Sequence, residues 1–165
     1  MRRAVFSILV GNSSGVLSRV AGMFSRRGYN IDSLTVGETL NPELSRITIA
    51  VTGEDDVLEQ IEKQLNKLID VKQIVELTAH ESACRELVMI KVECGPEKRQ
   101  QVSSIADIFR ANIVDVSKES MIIALTGSLS KMNAFVELLE DFNITEIART
   151  GITGLARGSA DMNKM

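Results

Sequence analysis

The stretch Gly11-Asn12-Ser13-Ser14-Gly15-Val16-Leu17-Ser18-Arg19 joins a predicted strand to a predicted amphipathic helix. Alternation over positions 3–10 places apolar side chains on one face of the strand, and apolar residues after the stretch recur at helical spacing. The first N–H groups of a helix lack intrahelical partners and carry the positive end of its dipole, so the stretch can seat a carboxylate or a phosphate. In a second interpretation, its Asn and Ser side chains only cap the helix.

The residues of this turn favour an amino acid over a nucleotide as ligand. Gly15 leaves space for a ligand to approach the backbone, and the Asn12 amide offers both a donor and an acceptor. An amino acid needs both, because its carboxylate suits helix N–H groups and its ammonium group needs an oxygen acceptor. The Gly-Lys-Ser/Thr ending of a phosphate-binding P-loop is missing from the turn.

The pattern of strands and helices occurs twice along the chain. Residues 1–77 predict a strand, a helix, two strands, a helix and a strand, and residues 87–148 predict the same order. This is the order of the ferredoxin-like fold. In the second half, Glu93-Cys94-Gly95-Pro96 replaces the glycine-asparagine turn, so only the first half is predicted to carry the anion seat.

We therefore predict an α+β protein of two tandem ferredoxin-like βαββαβ domains, spanning residues 1–78 and 79–165. The polar stretch 78–83 is predicted to be a linker, and the glycine-containing tail from residue 151 a loop or docking arm. Because helices cover one face of such a sheet, the other face and the sheet edges are predicted to be available for pairing.

Composition narrows the class of protein. The chain has 165 residues, 44% of them hydrophobic. Its net charge of -3 means that its overall electrostatic potential does not attract it to nucleic acid, which is also negatively charged. No apolar run approaches the ~20 residues that cross a bilayer, and the first residues lack the features of a signal peptide. The sequence predicts a soluble cytoplasmic protein that binds neither membranes nor nucleic acid.

Catalytic and metal-binding patterns are weak. His80 and Cys84, with Glu81, could share one helix face, but the remaining ligands of a coordination shell are not evident. A serine or cysteine nucleophile needs a base, and the single histidine lies far along the chain from the serines of the turn. We predict no catalytic residues and no metal ligands.

Two runs of sequence carry a family resemblance. The first, Asn12-Ser13-Ser14-Gly15-Val16-Leu17-Ser18-Arg19, resembles the asparagine-x-x-glycine-x-leucine-x-arginine signature of ACT domains. With the second, Arg27-Gly28-Tyr29-Asn30-Ile31-Asp32-Ser33-Leu34-Thr35-Val36, it resembles the start of the small regulatory subunit of acetohydroxyacid synthase, also called acetolactate synthase. The resemblance continues at 58–65 and 148–158 and is weakest at 78–83 and after 159.

The resemblance implies a regulatory subunit without catalysis of its own. Such subunits associate with a large catalytic subunit that uses thiamine diphosphate, FAD and magnesium, none of which the small subunit is expected to bind. They raise its activity and make it sensitive to a branched-chain amino acid, usually valine, with leucine and isoleucine as alternatives. The family therefore implies a role in feedback inhibition of branched-chain amino acid biosynthesis.

The resemblance also implies an effector site between the ACT domains of two small subunits. The carboxylate would be held by the turn, and Asn30 and Ile31 would approach from the paired subunit. Arg19 is expected to pair with an acid or with the partner instead of binding the effector. The effector-binding residues predicted in this way are Asn12, Ser13, Ser14, Gly15, Val16, Leu17, Asn30 and Ile31, with Val16 and Leu17 either lining the site or packing in the core.

Two other functions are compatible with the fold. Acylphosphatases place a phosphate cradle in the same turn, and Gly11, Gly15, Val16 and Arg19 match their pattern by position, whereas Ser13, Ser14 and Ser18 do not. An acylphosphatase-like enzyme is therefore the alternative function. RNA-recognition modules stack bases on aromatic residues of the central strands, and the predicted third strand, 46–52, contains none.

Overall fold

The structure is a computed structural model that describes residues 1–162. The chain divides into two compact units: Met1–Cys84 with the segment from Ile152 onward, and Arg85–Gly151. Residues 2–76 form a four-stranded antiparallel sheet with two helices, and residues 82–149 repeat the order βαββαβ in a second sheet, which a fifth strand near the C-terminus joins. The predicted fold class is confirmed.

The first unit places four strands side by side in the order β2-β3-β1-β4. Ala4, Phe6, Ile8 and Val10 alternate along β1 and are at most 1% exposed, as the predicted periodicity requires. They pack against apolar residues of both helices, which cover this face of the sheet. The elements are β1 (Arg2–Gly11), α1 (Val16–Arg27), β2 (Ser33–Glu38), β3 (Leu44–Gly53), α2 (Asp55–Asn66) and β4 (Val71–Glu76).

The second unit repeats this arrangement with its own core. Its strands lie in the order β6-β7-β5-β8, and the rings of Phe109 and Phe135 pack with their centroids 5.2 Å apart. The elements are β5 (Ser82–Glu93), α3 (Arg99–Phe109), β6 (Asn112–Val116), β7 (Ser120–Gly127), α4 (Leu129–Leu139), a 3-10 turn (Glu140–Phe142) and β8 (Ile144–Arg149).

The C-terminal segment corrects two predictions. It contains a ninth strand, β9 (Thr153–Ala156), and it belongs to the first unit instead of the second domain. The Ile152 N–H donates to Ser33 Oγ at 3.4 Å, and Thr35 Oγ1 donates to the Ile152 carbonyl at 3.3 Å. Arg46 Nη1 donates to Met162 Sδ at 3.0 Å. The segment therefore lies across the sheet face that the helices leave open.

This packing changes which surfaces of the first unit can pair with another chain. Ser33, Thr35 and Arg46 alternate with core residues, so they project from the open face and supply the partners that hold the segment. The C-terminal segment therefore covers the open face. Of the surfaces predicted to be available for pairing, the sheet edges at β2 and β4 remain candidates.

The boundary between the units also differs from the prediction. The stretch predicted as a linker, 78–83, includes the start of β5 at Ser82, and β9 pairs with β5. The Arg157 N–H donates to the Glu81 carbonyl at 2.7 Å beside this pairing. A strand of polar residues becomes stable here because a neighbouring strand, distant in sequence, satisfies its backbone groups.

We expect Ile152→Ala to lower the free energy of unfolding of the first unit by about 2 kcal/mol, because the side chain is 7% exposed. Tyr29 is the single tyrosine of the chain and packs against the core of this unit, so its fluorescence during urea denaturation measures the change. Ile69→Ala, at an isoleucine that is 89% exposed, is the control and should leave the transition unchanged. Equal transitions for both variants would show that the segment does not pack on the sheet in solution.

Candidate functional site

The predicted anion seat lies between the end of β1 and the start of α1. Gly15 is the N-cap residue of α1 and has a left-handed conformation, with φ 85°. Within residues 1–162, no side chain caps α1 by a hydrogen bond. The interpretation of the Asn and Ser side chains as helix caps is therefore not what the structure shows, and the N-terminus of α1 is open to an anion.

Asn12 is fixed by the turn between β2 and β3. Its backbone N–H donates to the Glu43 carbonyl at 2.7 Å, and its side-chain Nδ2 donates to the Pro42 carbonyl at 2.8 Å and to Glu38 Oε2 at 3.3 Å. Both side-chain partners accept hydrogen bonds and cannot donate them, so the amide NH2 group must face them. The amide oxygen of Asn12 consequently points away from these partners and can accept a hydrogen bond from a ligand.

Asp70 holds both ends of the turn. Its backbone carbonyl accepts from the Gly11 N–H at 3.0 Å, and its carboxylate accepts from Arg19 Nε at 2.6 Å and from Arg19 Nη2 at 3.1 Å. The Arg19 hydrogen bond lowers the pKa of the Asp70 carboxyl below its ordinary value. Arg19 thus pairs with an acid, as expected.

The paired Arg19 side chain also limits the space at Gly15. A Cβ atom at Gly15 would lie 2.8 Å from Arg19 Nη1, closer than a real side chain tolerates. The positive φ therefore favours glycine at this position, and a larger residue would also require the Arg19 guanidinium to shift.

The apolar residues after the turn have different roles. Val16 is 3% exposed and belongs to the core of the first unit, which is the second of the two roles predicted for it. Leu17 is 43% exposed and is the apolar side chain that the start of α1 offers to a ligand. Ser13 and Ser14 are exposed, as a ligand-binding turn requires.

Asn30 and Ile31 lie at the opposite end of α1 from the turn. The helix has 12 residues, which corresponds to about 18 Å of length. Ile31 packs against the core, whereas Asn30 is exposed and its Nδ2 donates to Asp32 Oδ1 at 3.3 Å. One chain therefore does not bring Asn12 and Asn30 together, and a site that uses both needs two chains.

Sequence reasoning missed the residues that hold the predicted ones in place: Asp32, Glu38, Pro42 and Asp70. Each lies next to or at the end of a strand or in the turn between β2 and β3, where acidic residues and proline are ordinary. Periodicity gives no signal for them, because it reports which face of an element is buried and not which side chains form hydrogen bonds.

The corresponding turn of the second unit is built differently. The Cys94 N–H donates to the Glu119 carbonyl at 2.8 Å, just as Asn12 does to Glu43. However, a Cβ atom at Gly95 would lie 2.7 Å from both carboxylate oxygens of Glu97. An acidic side chain therefore lies beside this glycine, whereas the first unit has the Arg19 guanidinium beside Gly15, and burial raises the pKa of the Cys94 thiol.

Residues 1–162 contain no group of three or more His, Cys, Asp or Glu side chains placed to hold a metal ion. In the same part of the chain, none of the helices has the length and apolar character needed to cross a membrane.

The repeated βαββαβ unit and the glycine-bounded turn define a tandem ferredoxin-like protein whose first unit is an ACT domain. A family model described as the AHAS small subunit-like ACT domain matches residues 6–73, and one described as the small subunit of acetolactate synthase matches residues 85–158. The chain belongs to the family of acetolactate synthase small subunits.

Relatives along the whole chain support this assignment. A probable acetolactate synthase small subunit of Archaeoglobus fulgidus is 51% identical over 93% of this chain and 96% of its own length. The small subunit of acetolactate synthase isozyme 3 of Salmonella typhimurium is 45% identical over 97% of this chain and 99% of its own. The crystal structure of an acetolactate synthase small subunit from Thermotoga maritima is 43% identical and covers 97% of this chain and 100% of that one, with a TM-score of 0.87.

We expect Gly15→Ala to lower the free energy of unfolding of the first unit by about 1–2 kcal/mol, because a left-handed conformation is costly for a residue with a Cβ atom. Gly11→Ala, in the same turn, is the matched control, since Gly11 lacks a positive φ and has open space around it. That control should be neutral or slightly stabilising. Urea denaturation followed by Tyr29 fluorescence measures both, and equal effects would refute the strained conformation at Gly15.

Proposed function

We propose that this chain is a regulatory subunit that activates the thiamine-diphosphate-dependent catalytic subunit of acetolactate synthase and makes it sensitive to feedback inhibition by valine. The observation that carries the proposal is the open N-terminus of α1 beside the amide oxygen of Asn12. The first group suits a carboxylate and the second an ammonium group, which are the two charged ends of a free amino acid. Leucine and isoleucine have the same ends and are the alternative effectors.

The first unit supports a site made by two copies of the chain. β2 is an edge strand with one unpaired side, and Asn12 is hydrogen-bonded to Glu38 at the end of this strand. Asn30 lies three residues before the strand begins at Ser33. If β2 pairs with β2 of a second copy in antiparallel orientation, Asn12 of one chain faces the strand start, and therefore Asn30 of the partner subunit.

The proposed site leaves catalysis and cofactors to the large subunit. Thiamine diphosphate, FAD and magnesium would be held there, and this chain would bind only the effector. The alternative, an acylphosphatase-like enzyme, needs an arginine free to bind phosphate in the turn. Arg19 is held by two hydrogen bonds to Asp70, which favours the regulatory role.

Reconstitution with the catalytic subunit of the same organism tests this function. The chain alone should form no acetolactate from pyruvate, and mixing should raise turnover of the catalytic subunit and make it inhibitable by valine. Asn12→Ala should retain activation and shift the valine inhibition curve to at least tenfold higher concentration, because the ammonium group loses an acceptor. Asn112→Ala, at an exposed asparagine of the second unit, is the control and should behave as the wild type.

Several outcomes would contradict the proposal. They are acetolactate formation by the chain alone, no change in turnover on mixing at a saturating ratio, and an unchanged valine curve for Asn12→Ala. Hydrolysis of an acyl phosphate by the purified chain would favour the alternative enzyme.

Light scattering should report at least a dimer, with valine tightening the association.

A further inference from the structure

The two asparagines of the proposed site are oriented in the same way. The side-chain NH2 group of Asn12 donates to Pro42 and Glu38, and that of Asn30 donates to Asp32. A carbonyl and a carboxylate only accept hydrogen bonds, so the chemistry of the partners fixes which end of each amide faces them. Both asparagines therefore present their amide oxygens, and not their NH2 groups, to a ligand.

Asp32 is itself firmly placed. Its Oδ2 accepts from Thr52 Oγ1 at 2.6 Å, its backbone N–H donates to the Ala50 carbonyl at 2.8 Å, and its Oδ1 accepts from Asn30. Ala50 and Thr52 belong to β3, in the middle of the sheet. The Asp32 carboxylate is thus anchored to the central strand β3, and the Asn30 amide donates a hydrogen bond to this anchored carboxylate.

We propose that Asp32 is a positioning residue that sets the chemical class of the effector. By holding the NH2 group of Asn30, it presents the Asn30 oxygen as an acceptor, as Glu38 and Pro42 do for Asn12. Two acceptor oxygens, one from each chain, select a ligand with a protonated α-amine and reject the 2-oxo acid of the same carbon skeleton. This inference rests on the proposed function, since it concerns the same two-chain site.

The selection follows from hydrogen-bond chemistry. An ammonium group donates to both oxygens, whereas the oxygen of a 2-oxo acid would face two acceptors and leave them unsatisfied. A site built to bind a polar group discriminates strongly against an analogue that lacks it. Such discrimination suits a regulator of an enzyme whose expected substrates are 2-oxo acids, because those substrates would otherwise compete with the effector.

Calorimetric titration of the full chain with L-valine and with 3-methyl-2-oxobutanoate, its 2-oxo analogue, tests the proposal. The wild type should bind valine at least tenfold more tightly than the analogue. Asp32→Ala should reduce this ratio by about tenfold, since the Asn30 amide is then free to turn its NH2 group towards the ligand. Asp115→Ala, at an exposed aspartate of the second unit, is the control and should leave the ratio unchanged.

A purely structural role of Asp32 would change stability without changing the ratio, so the ratio separates the two roles. Equal binding of valine and the analogue by the wild type would overturn the proposal while leaving valine regulation intact. An unchanged ratio in Asp32→Ala, or the same loss in Asp115→Ala, would overturn the role of Asp32 alone. If the wild type bound neither compound, the proposed function would fail together with this inference.

Discussion

The turn between β1 and α1 depends on one residue, Asp70, which holds both of its ends. The Asp70 carbonyl accepts a hydrogen bond from the Gly11 N–H, where the strand ends. Its carboxylate accepts a hydrogen bond from the Arg19 guanidinium, near the start of the helix. Between these points the backbone must reverse within a few residues, and Gly15 makes this possible by its positive φ. The result is a helix N-terminus that is held open and not capped by its own side chains.

The second unit shows that the fold by itself does not produce this site. Its strands follow the same order, and Cys94 makes the same backbone hydrogen bond to the following hairpin as Asn12 does. Cys94, Gly95 and Pro96 stand where the first unit has its asparagine and serines, so the second unit lacks the side chains that the first offers to an effector. Function therefore resides in a few residues placed on a scaffold that the chain uses twice.

Periodicity predicted the elements and both cores, because burial of one face is a local, repeating property of the sequence. The placement of the C-terminal segment and the orientation of the two asparagines were beyond sequence reasoning. The first depends on partners that are distant along the chain, such as Ser33 for Ile152, and the second on side-chain contacts that periodicity does not report, such as that of Asp32 with the Asn30 amide.

In the proposed dimer, one effector site combines Asn12 of one chain with Asn30 of the other. Subunit complementation tests it most directly: Asn12→Ala and Asn30→Ala chains are assayed for valine inhibition of the catalytic subunit, separately and after mixing and subunit exchange. Either variant alone should give little inhibition, and the mixture should recover part of it, because each mixed dimer contains one intact site. A mixture as insensitive to valine as its components would contradict a site made by two chains and would place the whole site within a single chain.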